Sequence, residues 1–230
     1  MSRRGPLYRD KFGGGGSADW TTLNLSTATE SNTGQKGGST VLGSSSTVEC
    51  AAVHGAPDGG NDAYMAVVAL GVNPSTTEFY GIEVELECTG LPADTPSAGT
   101  SSLYVVASGT AALTVNEGHY CGIRKNNSSV YKHGDARRVG ASGGSGDTLV
   151  GAPMRARLFV IFDETKGDTA ASSGSGDTSG KDSSTQSSAW SSAATEVYVG
   201  ILLDMTAASP TQALTWSGVS VKWRPIEAPS

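Results

Sequence analysis

Along most of the chain, apolar and polar residues alternate with a period of two, the repeat of a strand with one face in a core. The clearest case is FYGIEVELECTG (79–90), where Ile82, Val84, Leu86 and Cys88 share one side and Glu83, Glu85 and Glu87 the other. Shorter stretches also read as strands: 20–25, 46–55, 63–72, 102–108 and 112–115. Residues 118–134 read as a hairpin turning at Asn126, Asn127 and Ser128. RARLFVIFDE (155–164) alternates and then becomes apolar on both sides, as a central strand does. Segments 196–205 and 218–225 close the series, the last with Val219, Val221 and Trp223 on one side.

No stretch has the 3.6-residue apolar period of a helix, and none has 18 uncharged apolar residues in a row, so no membrane span is expected. Many strands separated by turn signals predict an all-β fold, an antiparallel two-sheet jelly-roll sandwich of residues 17–226. Two segments interrupt the rhythm, 140–152 and 166–190; the second is read as a Gly/Ser-rich insertion without its own structure, supported by a neighbouring subunit if ordered. Both contain GSGDT, at 144–148 and 174–178, which a chain rich in Gly and Ser produces by chance.

Composition sharpens this picture. Glycine is 31 of 230 residues and charged residues are 17%, a chemistry of turns and strands. The net charge of −6 is uneven. Residues 1–12 hold four basic groups (Arg3, Arg4, Arg9, Lys11) against Asp10, whereas the rest holds 12 basic and 21 acidic groups. The body therefore repels phosphates, and nucleic acid is not an expected partner. With Leu7, Tyr8 and Phe12, the start reads as an anchoring arm on the glycine hinge Gly13–Gly16. Its partner-binding residues are Arg3, Arg4, Leu7, Tyr8, Arg9 and Phe12. No apolar run follows that charged start, so a leader is not expected and folding in a cytoplasm is.

Candidate chemistry is sparse. Cys50, Cys88 and Cys121 are odd in number and lack C-x-x-C spacing, so neither a disulfide framework nor zinc is expected, and Cys88 falls on the buried register. DGGND (58–62) offers Asp58, Asn61 and Asp62 to calcium but lacks the spacing of a calcium loop and reads as a tight turn. His54, His119 and His133 lie in separate segments with no nucleophile elbow, and no phosphate-binding or dinucleotide motif is present, so no cofactor is expected. Arg137-Arg138 reads as a surface pair, and Trp190, Trp216 and Trp223 as core or interface aromatics.

The order of features resembles the concanavalin-like (laminin-G-like) jelly rolls of tailed-phage virion proteins. The resemblance is carried by Asp10-Lys11-Phe12 with Trp20 after it, the Tyr80–Gly90 strand ending in Thr-Gly, Gly118–Lys132, Arg155–Leu158, and a last strand at Val219–Trp223 placed to return beside the first. It implies a two-sheet sandwich that is structural or glycan-binding. Glu83, Glu85 and Glu87 also resemble the E-x-D-x-E strand of concanavalin-fold glycosidases, which would make Glu83 nucleophile and Glu87 acid/base. Yet residues four apart on a strand are separated by about 13 Å of rise, against the ~5.5 Å that retaining chemistry needs. Three like charges on one face are expected instead to form a solvated face that discourages edge pairing. The expectation is thus a non-enzymatic virion protein with no catalytic or metal site, bound to other virion proteins and to copies of itself. Head decoration is favoured over a tail or fibre component with a glycan-binding jelly roll, and a hydrolase using Glu83 and Glu87 is the remote alternative.

Overall fold

The alternating segments become strands of two antiparallel sheets in a computed structural model of the chain. The structure describes residues 19–33, 41–44, 50–54, 61–78, 80–90, 100–112, 119–126, 130–133, 154–162, 166–173, 180–185, 194–206 and 214–227. In chain order the strands are β1 (Thr21–Thr22), β2 (Thr29–Thr33), β3 (Val41–Ser44), β4 (Cys50–His54), β5 (Asn61–Ala69), β6 (Gly81–Gly90) and β7 (Thr100–Ser108). They continue with β8 (His119–Asn126), β9 (Val130–His133), β10 (Met154–Ile161), β11 (Lys166–Ser173), β12 (Gly180–Thr185), β13 (Tyr198–Thr206) and β14 (Leu214–Ile226). One 3-10 turn, Leu25–Thr27, is capped by the Asn24 side chain, which accepts from the Ser26 N–H. No helix among the described residues is long and apolar enough to cross a membrane.

The first sheet runs β12-β11-β10-β6-β14-β4-β3, with β1 paired to β14, and the second runs β2-β5-β13-β7-β8-β9. Every neighbouring pair is antiparallel, and sequence neighbours are often split between sheets, which is the antiparallel two-sheet jelly-roll sandwich expected. The last strand does return beside the first: Thr21 faces Trp223 and Thr22 faces Lys222.

The core lies between the sheets. Ile82, Val84, Leu86 and Cys88 of β6 pack with Ala156, Leu158 and Val160 of β10 and with Trp216, Val219 and Val221 of β14. Facing them from the second sheet are Leu103, Val105, Val199, Ile201, Leu203 and Ile123. Trp216, read from the sequence as a core or interface aromatic, is fully buried, and Cys88 is buried with a free thiol. Trp216 and Val219 both point inward although three residues apart. The extra residue is taken up by a bulge where the register with β4 shifts, and Gly218 there has a φ of 57°, a conformation that favours glycine.

The second sheet is buried on its outer side as well. Met65, Val67, Tyr104, Val106 and Leu202 form a separate apolar cluster there, with Ala111 packed on it from the segment that follows β7. Ser31 on β2 donates its hydroxyl to the Ala111 carbonyl at 3.2 Å, tying that segment across the sheet. This explains why AYMAVVAL (63–70) is apolar at consecutive positions.

The segment 166–190 departs from expectation. Residues 166–173 and 180–185 are strands β11 and β12, not a structureless insertion, and their support comes from β10 of the same chain. Small polar residues carry little strand preference of their own, but the unpaired edge of β10 offers a complete backbone ladder, and pairing satisfies it. The 3-10 turn and strands β2 and β3 also lack a clear apolar pattern, for they sit at or near sheet edges. The arm and hinge (1–16), Asp58, Arg137, Arg138, Trp190 and both GSGDT copies lie outside the described residues.

At Gly200, β13 passes β5 so closely that a Cβ would run into the Ala66 carbonyl oxygen and lie 2.8 Å from the Val67 Cα. Gly200→Ala should therefore lower stability by about 1–3 kcal/mol, the usual cost of overpacking. Urea unfolding followed by tryptophan fluorescence checks this, and an unchanged midpoint would show that the two strands part there at no cost.

Candidate functional site: a charge ladder on the first sheet

Strand β6 occupies the middle of the first sheet, and its outward residues are the three glutamates. Register decides what they meet. Glu83 stands opposite Phe159 of β10 and Arg224 of β14; Glu85 stands between Arg157 and Lys222; Glu87 stands between Arg155 and Ser220. Cross-strand partners on one face are close enough for direct contact, so each carboxylate faces at least one cation.

The contacts follow. Arg155 donates its Nε to Glu87 at 2.5 Å, and Arg224 donates its Nε to Glu83 at 2.6 Å with its Nη2 at 2.5 Å from the same oxygen. Glu85 is held from both sides, by the Nε of Arg157 and by the Nζ of Lys222 at 2.7 Å, with Arg155 at 4.0 Å. Trp20, one residue before β1, lies over the far end: its ring centroid is 4.7 Å from both the Lys222 Nζ and the Arg224 Cζ. That is cation–π range.

This overturns the expected solvated face. Glu83 and Glu85 are 3% and 1% exposed, buried on the outer side of a strand whose inner side is also buried. The physical reason is the placement of β6. A strand with basic strands on both sides has its carboxylates roofed by long side chains, whose stems cover area while their heads stay in water. The alternation that marks a half-exposed strand is also what an ion ladder produces, and only the flanking strands distinguish the two.

Electrostatics of Glu85 follow from the same geometry. Burial is the largest single influence and pushes its pKa up. The Lys222 hydrogen bond and the charge and hydrogen bond of Arg157 together outweigh it and hold the carboxyl below its ordinary value. A general acid in a glycosidase needs the opposite, a carboxyl raised toward neutrality. Here each of the three carboxylates on β6 is bonded to a cation.

The other sequence candidates are not brought to this site. His54 is on β4 of the first sheet, while His119 and His133 are on β8 and β9 of the second, so the three are not gathered on one strand. Asn61 and Asp62 belong to β5 and pair with Thr206 and Met205, not with a turn. Among the described residues no group of three or more His, Cys, Asp or Glu side chains is arranged to hold a metal ion. Missed by sequence reasoning were Arg155, Arg157, Lys222, Arg224 and the clamp at Trp20. A signal for the four cations exists: R-x-R at 155–157 and K-x-R at 222–224 share the period of E-x-E-x-E. What the sequence lacks is which strands are neighbours.

No protein-family model and no curated protein sequence matches the chain. Among solved structures, the fold is similar to a protein of unknown function from Shewanella oneidensis MR-1, at 14% identity and a TM-score of 0.51, over 100% of this chain and 97% of that one. An engineered GH43 glycoside hydrolase is similar at 9% identity and a TM-score of 0.47, over 84% of this chain and 42% of that chain. Peanut lectin is similar at 13% identity and a TM-score of 0.41, over 94% and 95%. At these identities the likeness concerns the fold alone. Of the resemblance read from the sequence, the jelly-roll sandwich stands.

The pH dependence of stability tests the ladder. A carboxyl whose folded pKa lies below its unfolded value, near 4.3, stabilises the fold above that pH, and the contribution is lost as pH falls through the folded value. The Glu85 contribution should thus be complete at about pH 6 and decline below about pH 4. Glu85→Gln should lower the urea midpoint at pH 6 and flatten the acid side of the curve. Parallel curves for the two proteins between pH 6 and pH 3 would contradict the assignment.

Proposed function

We propose that the chain is a non-enzymatic structural protein of a tailed-phage virion, attached to other virion proteins through residues 1–12 and placed on the head surface. The observation that carries the non-enzymatic part is the ladder itself. The one strand with a glycosidase-like carboxylate spacing has Glu83, Glu85 and Glu87 each bonded to arginine or lysine. Carboxylates held in place by arginine and lysine side chains are not free to close on a glycosidic bond. What remains is a stiff two-sheet body, which suits a role in shape and contact rather than turnover.

Placement in a virion is supported by the sequence resemblance to tailed-phage jelly rolls and by the basic, aromatic start followed by glycines. A structural role also accounts for a body low in charge and rich in Gly, Ser and Thr. Such proteins act as symmetric assemblies, so copies of the chain belong together. It would be made in the host cytoplasm and carried in the particle.

Two measurements test this. Incubated with xylan and with β-1,3- and β-1,4-glucans, the full chain should release no reducing sugar above a heat-killed control. Release that disappears in Glu87→Gln would establish the hydrolase instead. Immunogold labelling of phage particles carrying the gene should decorate heads, and deletion of residues 2–12 should remove the label. Label confined to tails or fibres would move the protein there, and no label on any particle would overturn the virion reading.

A further inference from the structure

The outer face of the first sheet is more cationic than its formal charges suggest. Glu83 and Glu85 lie beneath their partners, with side chains 4% and 1% exposed, whereas Arg155, Arg157, Lys222 and Arg224 remain 35%, 30%, 36% and 20% exposed. Of the three ladder carboxylates, Glu87 alone is comparably open, at 30%, and Asp19 beside Trp20 is exposed. An approaching molecule therefore meets mostly basic heads, on a chain whose net charge is −6.

Three further features bear on what that face would take. The carboxylates beneath hold the basic side chains in place, so less side-chain entropy is lost when a partner binds. Trp20 and the half-buried Phe159 supply aromatic surface beside the cations, and Trp and Arg are the residue types that dominate protein interfaces. Trp20, packed over Lys222 and Arg224, places the start of the described chain at the rim of this face.

We infer that the outer face of the first sheet, centred on Arg155, Arg157, Lys222 and Arg224 with Trp20 at its rim, is a docking surface for an acidic protein. The inference rests on the reading under Proposed function that the chain is held by another protein, and it assigns the grip to the sheet as well as to the arm. A sheet face presenting cations at strand spacing, about 5 Å apart across neighbours, suits a broad acidic protein surface. The apolar arm residues Leu7, Tyr8 and Phe12 agree with a protein partner more than with a polysaccharide.

The test uses the full chain, immobilised poly-L-glutamate as a stand-in for an acidic protein surface, and heparin as the anionic polysaccharide control. Biolayer interferometry at low salt should show salt-sensitive binding to poly-L-glutamate. Arg155→Gln should weaken it about three- to five-fold, the effect of a partly exposed charge. Glu87→Gln should tighten it by a similar factor, a change of sign that misfolding cannot mimic. Both variants unchanged while deletion of residues 2–12 abolishes binding would overturn the sheet-face inference and leave the arm reading standing. The two variants moving as predicted while that deletion has no effect would support the face and count against the arm. Stronger binding to heparin, with the same variant responses, would overturn the protein partner in favour of an anionic glycan.

Discussion

The first sheet depends on one alignment: the glutamates of β6 lie in register with the basic residues of β10 and β14. Burying a carboxylate costs several kcal/mol unless charge and hydrogen bonds offset it. Glu85 meets that condition from both sides, through Arg157 and Lys222, and Glu83 from one side, through Arg224. Slipping either neighbour by one residue would put apolar residues against the carboxylates and basic residues into the core. The ladder therefore contributes to specificity of pairing as much as to stability, since the buried charges tolerate only one register.

The rest of the body can be traced outward from that alignment. The inward sides of the same three strands build the main core, so fixing their register also fixes how Ile82, Val84, Leu86, Leu158 and Val221 meet the second sheet. β14 must serve two neighbours at once, β6 and β4, and the bulge at Gly218 lets it stay in register with β6 while shifting against β4. Trp20 ties the start of the described chain to the cations at the far side of the ladder. The second sheet uses a different device, a second apolar cluster on its outer side.

Much of this was readable from residues alone. The strand positions of β6, β10, β13 and β14 follow from period-two alternation, those of β5, β7 and β8 from short strand-like runs between turn signals, and the inward set of β6 is the one the pattern names. Alternation does not say whether the polar side faces water or another strand's cations, because both give the same string. That choice depends on sheet order, which is non-local. Strands β11 and β12 are invisible for a different reason: their stability lies in the backbone ladder offered by β10, not in their Gly, Ser and Asp side chains. The cations of the ladder carried a legible period, R-x-R and K-x-R, but nothing local joins residues 155–157 and 222–224 to residue 85.

The carboxylate stripe that resembles a glycosidase strand forms the middle rail of an ion ladder, bonded to the basic side chains of β10 and β14. A double-mutant cycle on Glu85 and Arg157 tests that claim most directly, using Glu85→Gln, Arg157→Gln and the double variant in urea unfolding at neutral pH. A buried, charge-assisted pair predicts a coupling energy of about 1.5–3 kcal/mol. A coupling below about 0.5 kcal/mol, the value of an exposed surface pair, would show that Glu85 is not locked and would contradict the structural role assigned to the stripe.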